Sequence, residues 1–221
     1  MSGMLDRTMS FEAALTEIDQ RVLRLFAMVS EGLAAATAAF LDNDREAARQ
    51  LVAADVEVDS LESAIEDLVH TRLVRSPTVA TNVVRPLMTI LLIVPELERS
   101  GDLVEHIALR TPQGMAGQLS ARARGLIEQM GEVGVDMWRA AANAYADRDP
   151  GAGGRLRLLD DHLDDLHVSL STELAQSPIS TSVAIEMGLV ARFLERLGDH
   201  AVNVAQRLRD LCTDDGWMRS A

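Results

Sequence analysis

Apolar residues recur at helical spacing along almost the whole chain. Leu51, Ala54, Val58, Leu61, Ile65 and Leu68 step by three and four, as do Val190, Leu194, Leu197, Ala201, Val204, Leu208 and Leu211. Such seams belong to long amphipathic helices packed in a bundle. No stretch sustains the period-two alternation of a half-buried strand, so the chain is expected to be all-α. Turn-forming residues interrupt the pattern at Leu41–Asp44, Ser76–Pro77, Thr111–Gly117, Ala146–Gly154 and Ser177–Pro178. Five breaks make six helices of roughly 25–35 residues, longer than the globular average and suited to an up-down bundle. A midpoint near Pro112–Gly114 divides them three and three.

The two halves align with each other. Phe40, Asp42 and Asp44 match Tyr145, Asp147 and Asp149, and Asp55-x-x-x-Asp59 matches Asp160-x-x-x-Asp164 in the same register. Ser76-Pro77 then matches Ser177-Pro178 after a slip of four residues, and Glu98-Arg99-x-Gly101-Asp102 matches Glu195-Arg196-x-Gly198-Asp199 after a second slip of four. Four residues is about one helical turn. One extra turn on each arm lengthens the tip of an antiparallel hairpin and leaves the acidic motifs level. The slips therefore support an internal duplication in which the second and third helices of each half are adjacent and antiparallel.

Composition narrows the function. Asp and Glu number 34 against 21 basic residues, every one of them Arg, for a net charge of −13 in 221 residues. That balance argues against a nucleic-acid binder, which needs a basic footprint. Aromatics at 3% argue against a β-sandwich or barrel. Cys212 is the only cysteine, so neither an intrachain disulfide nor a thiolate metal cage can form. The first residues carry Asp6, Arg7, Glu12 and Glu17 without an apolar core, unlike a signal peptide. The most apolar run, Leu87–Val94, is far short of the ~20 residues of a membrane span. A cytoplasmic location is the expectation.

The acidic motifs carry the candidate chemistry. On a helix the i,i+4 spacing puts two carboxylates on one face, where they repel by a few tenths of a kcal/mol unless a cation sits between them. If the hairpin aligns the pairs, four carboxylates converge per half: Asp55, Asp59, Glu98 and Asp102 in the first, Asp160, Asp164, Glu195 and Asp199 in the second. Helical geometry places them on or near the bundle surface, with His106 and Asn203 one turn further along. Hard oxygen-preferring cations suit such a set: Mg²⁺, Mn²⁺, Ca²⁺ or oxidised iron. The plain alternative is that these are solvated helix faces, with Glu98-Arg99 and Glu195-Arg196 serving interhelical ion pairs. Gly101 and Gly198, each inside a helix, indicate close approach of another helix or of an ion. A buried di-iron centre is disfavoured, because only Asp164-x-x-His167 resembles the Glu-x-x-His motif. His70, His162 and His200 read as surface or interface residues and Cys212 as structural. Met9, Met28, Met88, Met130, Met137 and Met187 read as core fillers. No P-loop, nucleophile elbow or dinucleotide fingerprint occurs.

Repeated helical halves with D-x-x-x-D on one helix and E-R-x-G-D on the next resemble the PhoU family of phosphate-uptake regulators. The second copy, Phe193-Leu-Glu-Arg-Leu-Gly-Asp-His-Ala-Val-Asn-Val-Ala205, is similar to that family's signature almost throughout. The resemblance implies two tandem three-helix bundles side by side, over residues 11–111 and 117–211, commonly dimeric. It implies a non-enzymatic negative regulator of phosphate uptake and the starvation response. Such a regulator acts as an adaptor between the ATPase subunit of the phosphate ABC transporter and a phosphate-sensing histidine kinase, and meets the membrane only through partners. The family's metal ligands fall on Asp55, Asp59, Glu98, Asp102, Asp160, Asp164, Glu195 and Asp199, with Glu62, His106 and Asn203 as additional donors for Mg, Mn, Fe, Zn or Ca. Competing expectations are a carboxylate-bridged metalloenzyme and a helical scaffold or metalloprotein with no phosphate role. The chain departs from the family between Pro77 and Pro86, with Asn82 in place of an Asp and the Arg displaced to Arg85, which bears on partner choice. Pro86 and Pro95 fall within the third helix, and interior prolines, at about 3 kcal/mol each, are expected to bend or break it before Glu98.

Overall fold

A computed structural model describes the backbone over residues 2–75 and 81–212, and side chains over 13–74 and 84–209. Six helices account for nearly all of it: α1 (Ser2–Asp42), α2 (Arg45–Arg75), α3 (Thr81–Ala108), α4 (Ala121–Asp147), α5 (Ala152–Gln176) and α6 (Thr181–Cys212). Two short 3₁₀ turns, Thr111–Gln113 and Met115–Gln118, join the halves around Gly114, whose φ of 64° is left-handed. There is no strand among the described residues. The break at Ser76–Pro77, the side chains of Met9, Phe11 and residues 77–83, and the Cys212 thiol lie outside the described residues.

The duplication extends to backbone detail. In the first half Asn43 has φ 55°, the Asp44 amide donates to the Ala39 carbonyl at 2.9 Å, and Asp44 Oδ1 caps α2 by accepting from the amides of Glu46 and Ala47. In the second half Arg148 has φ 53°, the Asp149 amide donates to Ala144 at 3.0 Å, and Asp149 Oδ1 accepts from Gly151. A left-handed residue closes each helix; the Asp44 side chain then caps α2, whereas Asp149 turns back onto the Gly151 amide and α5 has no side-chain cap.

Within each half every helix packs on the other two, and across the seam α1 packs on α4 and α3 on α6. The apolar core is continuous through that seam, with the Phe26 ring of α1 6.1 Å from Trp138 and 5.7 Å from Tyr145 of α4. The Tyr145 hydroxyl and Arg148 both donate to Asp19 and tie the same helices by polar contacts.

Three details differ from the sequence pattern. Helix α3 is not interrupted at Pro86 or Pro95. Pro86, Leu87, Ile90, Ile93, Val94 and Leu97 are buried along it, and that packing outweighs the lost hydrogen bonds. Helix α1 runs to 41 residues, and its stretch Ala13–Asp42 is apolar and long enough to cross a membrane, which its many alanines disguise. Its large side chains Ile18, Val22, Leu25, Phe26, Leu33 and Phe40 are all buried in the protein core. Met130, Met137 and Met187 fill the core and Met28 is half-buried, but Met88 is exposed.

Candidate functional site

Each acidic face is built on one antiparallel hairpin, α2 with α3 in the first half and α5 with α6 in the second. The glycines of E-R-x-G-D set the spacing between the arms. A Cβ on Gly101 would stand 3.0 Å from Val58 Cγ1 and 3.6 Å from Asp55 Oδ1. A Cβ on Gly198 would stand 2.6 Å from Leu163 Cδ2 and 3.0 Å from Asp160 Oδ1. In both halves, therefore, the first aspartate of D-x-x-x-D leans over the glycine of the facing helix. The sequence offered a helix or an ion as the reason for these glycines, and the neighbouring helix supplies it.

Electrostatics shows which carboxylates share a face. Burial raises the Asp55 carboxyl from an ordinary 3.8 to about 6, reinforced by the negative charges of Glu105, Asp59 and Asp102. Asp160 is likewise raised to about 6 by burial and by Asp199, Asp164, Glu195 and Asp161. Glu62 joins the first face, pushed up to about 7 by burial and by Glu98, Glu66 and Asp59. Burial also raises Glu98, with Asp102 and Asp59 adding to it, and raises Glu195, with Asp199 opposing an Arg192 ion pair. All eight sequence-predicted carboxylates thus lie on two common faces, half-buried or exposed. They do not close on a point: among the described residues no three His, Cys, Asp or Glu stand as an ion's ligands would.

The supporting donors divide. His106 is exposed beside the first face and its charge lowers Asp55, whereas Asn203 turns away from Asp199 and donates to Glu96 Oε2 at 3.5 Å. Among the described residues the interhelical ion pairs of the alternative reading are not seen: Glu195 pairs with Arg192 of its own helix, and Arg99 lies 3.9 Å from Glu96, also on its own helix.

Glu96 is the residue that sequence reasoning passed over. It is buried at the α3–α6 seam, where His200 Nδ1 donates to it at 2.5 Å and Arg207 at 3.2 Å. These donors hold its carboxyl below the ordinary 4.5 against the opposing effect of burial. The duplication gives this clasp a counterpart. At the positions matching Glu96, Asn203 and Arg207 stand Phe193, His106 and Arg110, and the Phe193 ring is stacked 5.4 Å from His106 with the Arg110 guanidinium 4.7 Å above it. One end of the seam is ionic, the other a cation–π sandwich. A lone Glu inside the apolar run from Leu87 to Leu97 was the available signal.

In the first face the residues fit a hard cation by chemistry, since five half-buried or exposed carboxylates (Asp55, Asp59, Glu62, Glu98 and Asp102) lack an ion-paired cation among the described residues. The second face offers Asp160, Asp164 and Asp199 with Glu195 already half-neutralised by Arg192.

These observations define a class: an all-helical protein made of two copies of a three-helix bundle, each presenting carboxylates across one hairpin above a helix-contact glycine. The chain belongs to the PhoU family, whose PhoU domain matches residues 22–111 and 127–208. It is 28% identical over 205 residues to the phosphate-specific transport system accessory protein PhoU homolog 2 of Mycobacterium tuberculosis, covering 90% of this chain and 94% of that one. A PhoU homolog of Synechocystis, carrying the same accessory-protein name, is 30% identical over 214 residues, 92% of this chain and 91% of that one. The crystal structure of PhoU from Pseudomonas aeruginosa superposes with a TM-score of 0.83 at 25% identity, covering 91% of this chain and 98% of that one.

Proposed function

We propose that this protein is a non-enzymatic accessory and negative regulator of phosphate uptake and of the phosphate-starvation response, binding metal ions on its two acidic faces. The observation that carries the reading is the recurrence of the same face twice. Asp55 and Asp160 each lean over a helix-contact glycine, and each is raised to about 6, by burial first and by its own set of carboxylates second. Stored like-charge repulsion at matching places in both halves is a feature that a merely solvated surface has no reason to repeat.

In this reading Asp55, Asp59, Glu62, Glu98 and Asp102 hold an oxygen-preferring cation on the first face, and Asp160, Asp164, Glu195 and Asp199 on the second. His106, whose charge acts on Asp55, is assigned as an added nitrogen donor to the first face. The bound metal supplies positive charge that relieves the repulsion and orders the surface for docking. The names of the relatives support a transport-system partner, and we assign the ATPase subunit of the phosphate transporter and a phosphate-sensing histidine kinase as the two proteins bridged, by a cytoplasmic homodimer of this chain. Partners of that kind require a docking surface rather than a reaction centre, and the half-open acidic faces offer one.

The test is secreted phosphatase activity in phosphate-replete cells. Deleting the gene is expected to raise it, and restoring the intact gene to return it to the repressed level. Unchanged activity in a strain that also lacks every paralogue sinks the regulatory role. In that event the second reading, a helical scaffold with solvated acidic faces, takes its place; carboxylates that do not close on a point favour it.

A further inference from the structure

The outer side of the α3–α6 seam departs from the acidic character of the chain. Among the described residues, the fully exposed positions of α3 are Arg85, Met88, Leu92, Arg99 and His106. At 100° per residue they fall on one stripe about 60° wide, and none is a carboxylate. Between Ile185 and Asn203 the exposed positions of α6 are Ile185, Leu189, Arg192, Arg196, Asp199 and Asn203. They share a stripe about 80° wide, with its one carboxylate, Asp199, on the side that acts on Asp160 of α5. Other surfaces of this chain of net charge −13 differ: α4, for example, exposes Glu128, Glu132, Asp136 and Asp147.

The apolar members of these stripes are a separate observation. Met88, Leu92, Ile185 and Leu189 leave between 37% and 59% of their surface in solvent. Met88 and Leu92 match Ile185 and Leu189 in the same register that matches Glu98 with Glu195. Exposed apolar pairs therefore recur at equivalent places in both halves. The contacts of the seam are reciprocal, because Glu96 meets Asn203 and Arg207 where Phe193 meets His106 and Arg110. Helices α3 and α6 thus run antiparallel about an approximate two-fold axis. The same rungs set Leu189 level with Arg110, so the two apolar pads lie about 27 Å apart along the helices at 1.5 Å per residue. Arg99, Arg192 and Arg196 lie between the pads, and Arg196 has no ion pair among the described residues.

We propose that this face lies directly against an anionic membrane surface. Its arginines engage lipid phosphates, and Met88, Leu92, Ile185 and Leu189 enter the boundary between headgroups and acyl chains. Charge selects this occupant, since guanidinium groups match phosphate oxygens in bidentate geometry and exposed apolar side chains among them complete an interfacial anchor. Symmetry selects it again. A bilayer is alike in every in-plane direction, so it meets both pads of a two-fold face equally. A second copy laid on this face would set arginine against arginine. The acidic outer side of α1 and α4 stands one helix layer behind, about 20 Å from the membrane. That distance exceeds the Debye length of about 8 Å at physiological salt, so its repulsion is screened while the arginines remain in contact.

The probe is a vesicle of phosphatidylglycerol mixed equally with phosphatidylcholine, and the readout is co-sedimentation of the full chain at physiological salt. Vesicles of phosphatidylcholine alone are the control. The protein is expected to sediment with the anionic vesicles and not with the neutral ones. Arg99→Gln/Arg196→Gln is expected to weaken binding roughly tenfold or more, since each arginine at an anionic surface is worth about fivefold. Met88→Gln/Leu92→Gln/Ile185→Gln/Leu189→Gln, confined to exposed positions, is expected to weaken it as much. Arg122→Gln/Arg157→Gln removes the same charge from exposed positions on α4 and α5 and is expected to leave binding unchanged. Circular dichroism confirms that each variant is folded. The proposal is overturned if the wild type ignores the anionic vesicles or binds the neutral ones equally well. It is equally overturned if the α4 and α5 arginines cost as much as those of the face, or if the four-glutamine variant binds as the wild type does. Conversion of a dimer to a monomer by that variant without lipid, read by analytical ultracentrifugation, would place a second copy on the face and also refute it.

Discussion

Neutralising the two leaning aspartates is expected to stabilise the metal-free protein. The double variant Asp55→Asn/Asp160→Asn keeps the shape of each side chain and removes one charge from each acidic face. Each carboxyl is raised from an ordinary 3.8 to about 6, by burial first and by neighbouring carboxylates second. A shift of that size corresponds to nearly 3 kcal/mol for a fully shielded group, at about 1.4 kcal/mol per pH unit. Both side chains are half-exposed, so solvent screening reduces the figure to about 1 kcal/mol each. Together that is about 2 kcal/mol, or a rise in Tm of roughly 4–8 °C for a chain of this length. The sign follows from linkage. A carboxyl whose folded pKa is raised destabilises the fold fully above that pKa and not at all below its unfolded pKa. The variant's advantage is therefore complete at pH 7.5, partial at pH 5 and gone near pH 3.5. Thermal melts by circular dichroism in EDTA at those three values measure it. A variant less stable than the wild type at pH 7.5, or a difference that ignores pH, would refute the repulsion argument.

Other consequences are more local. Glu96→Ala removes the acceptor that His200 and Arg207 share at the α3–α6 seam, and is expected to cost about 3 kcal/mol in urea denaturation, with Glu96→Gln recovering part of the loss. Gly198→Val drives a Cβ to 2.6 Å from Leu163 and is expected to cost about 1–3 kcal/mol, whereas Gly154→Ala, with nothing within 4 Å, is expected to be neutral or to gain about 0.5–1 kcal/mol.

Much of this architecture was legible in the sequence because two signals reinforce each other. The apolar steps of three and four mark the helices, and the slips of four between the halves place the extra turns at the hairpin tip. Asp44 and Asp149, matched by position, each accept the backbone amide two residues on, though only Asp44 caps its helix. Spacing also placed all eight acidic side chains on two faces. It did not show that no three of them stand among the described residues as an ion's ligands would, because that depends on side-chain rotamers. Nor did it mark Glu96: a buried carboxylate is recognised by its partners, and His200 and Arg207 lie a hundred residues away on another helix. The prolines of α3 misled for a related reason. Proline's cost to a helix is local, whereas the burial of Leu87 through Leu97 that overrides it is tertiary.

The central claim is that both acidic faces are cation sites, and calorimetric titration of the chelator-stripped chain with Mn²⁺ tests it most directly. Wild-type protein is expected to take up the ion with a clear binding heat. Glu98→Gln/Asp102→Asn is expected to halve the uptake, and adding Glu195→Gln/Asp199→Asn to abolish it. No binding by the wild type, or undiminished binding by the quadruple variant, would contradict the account.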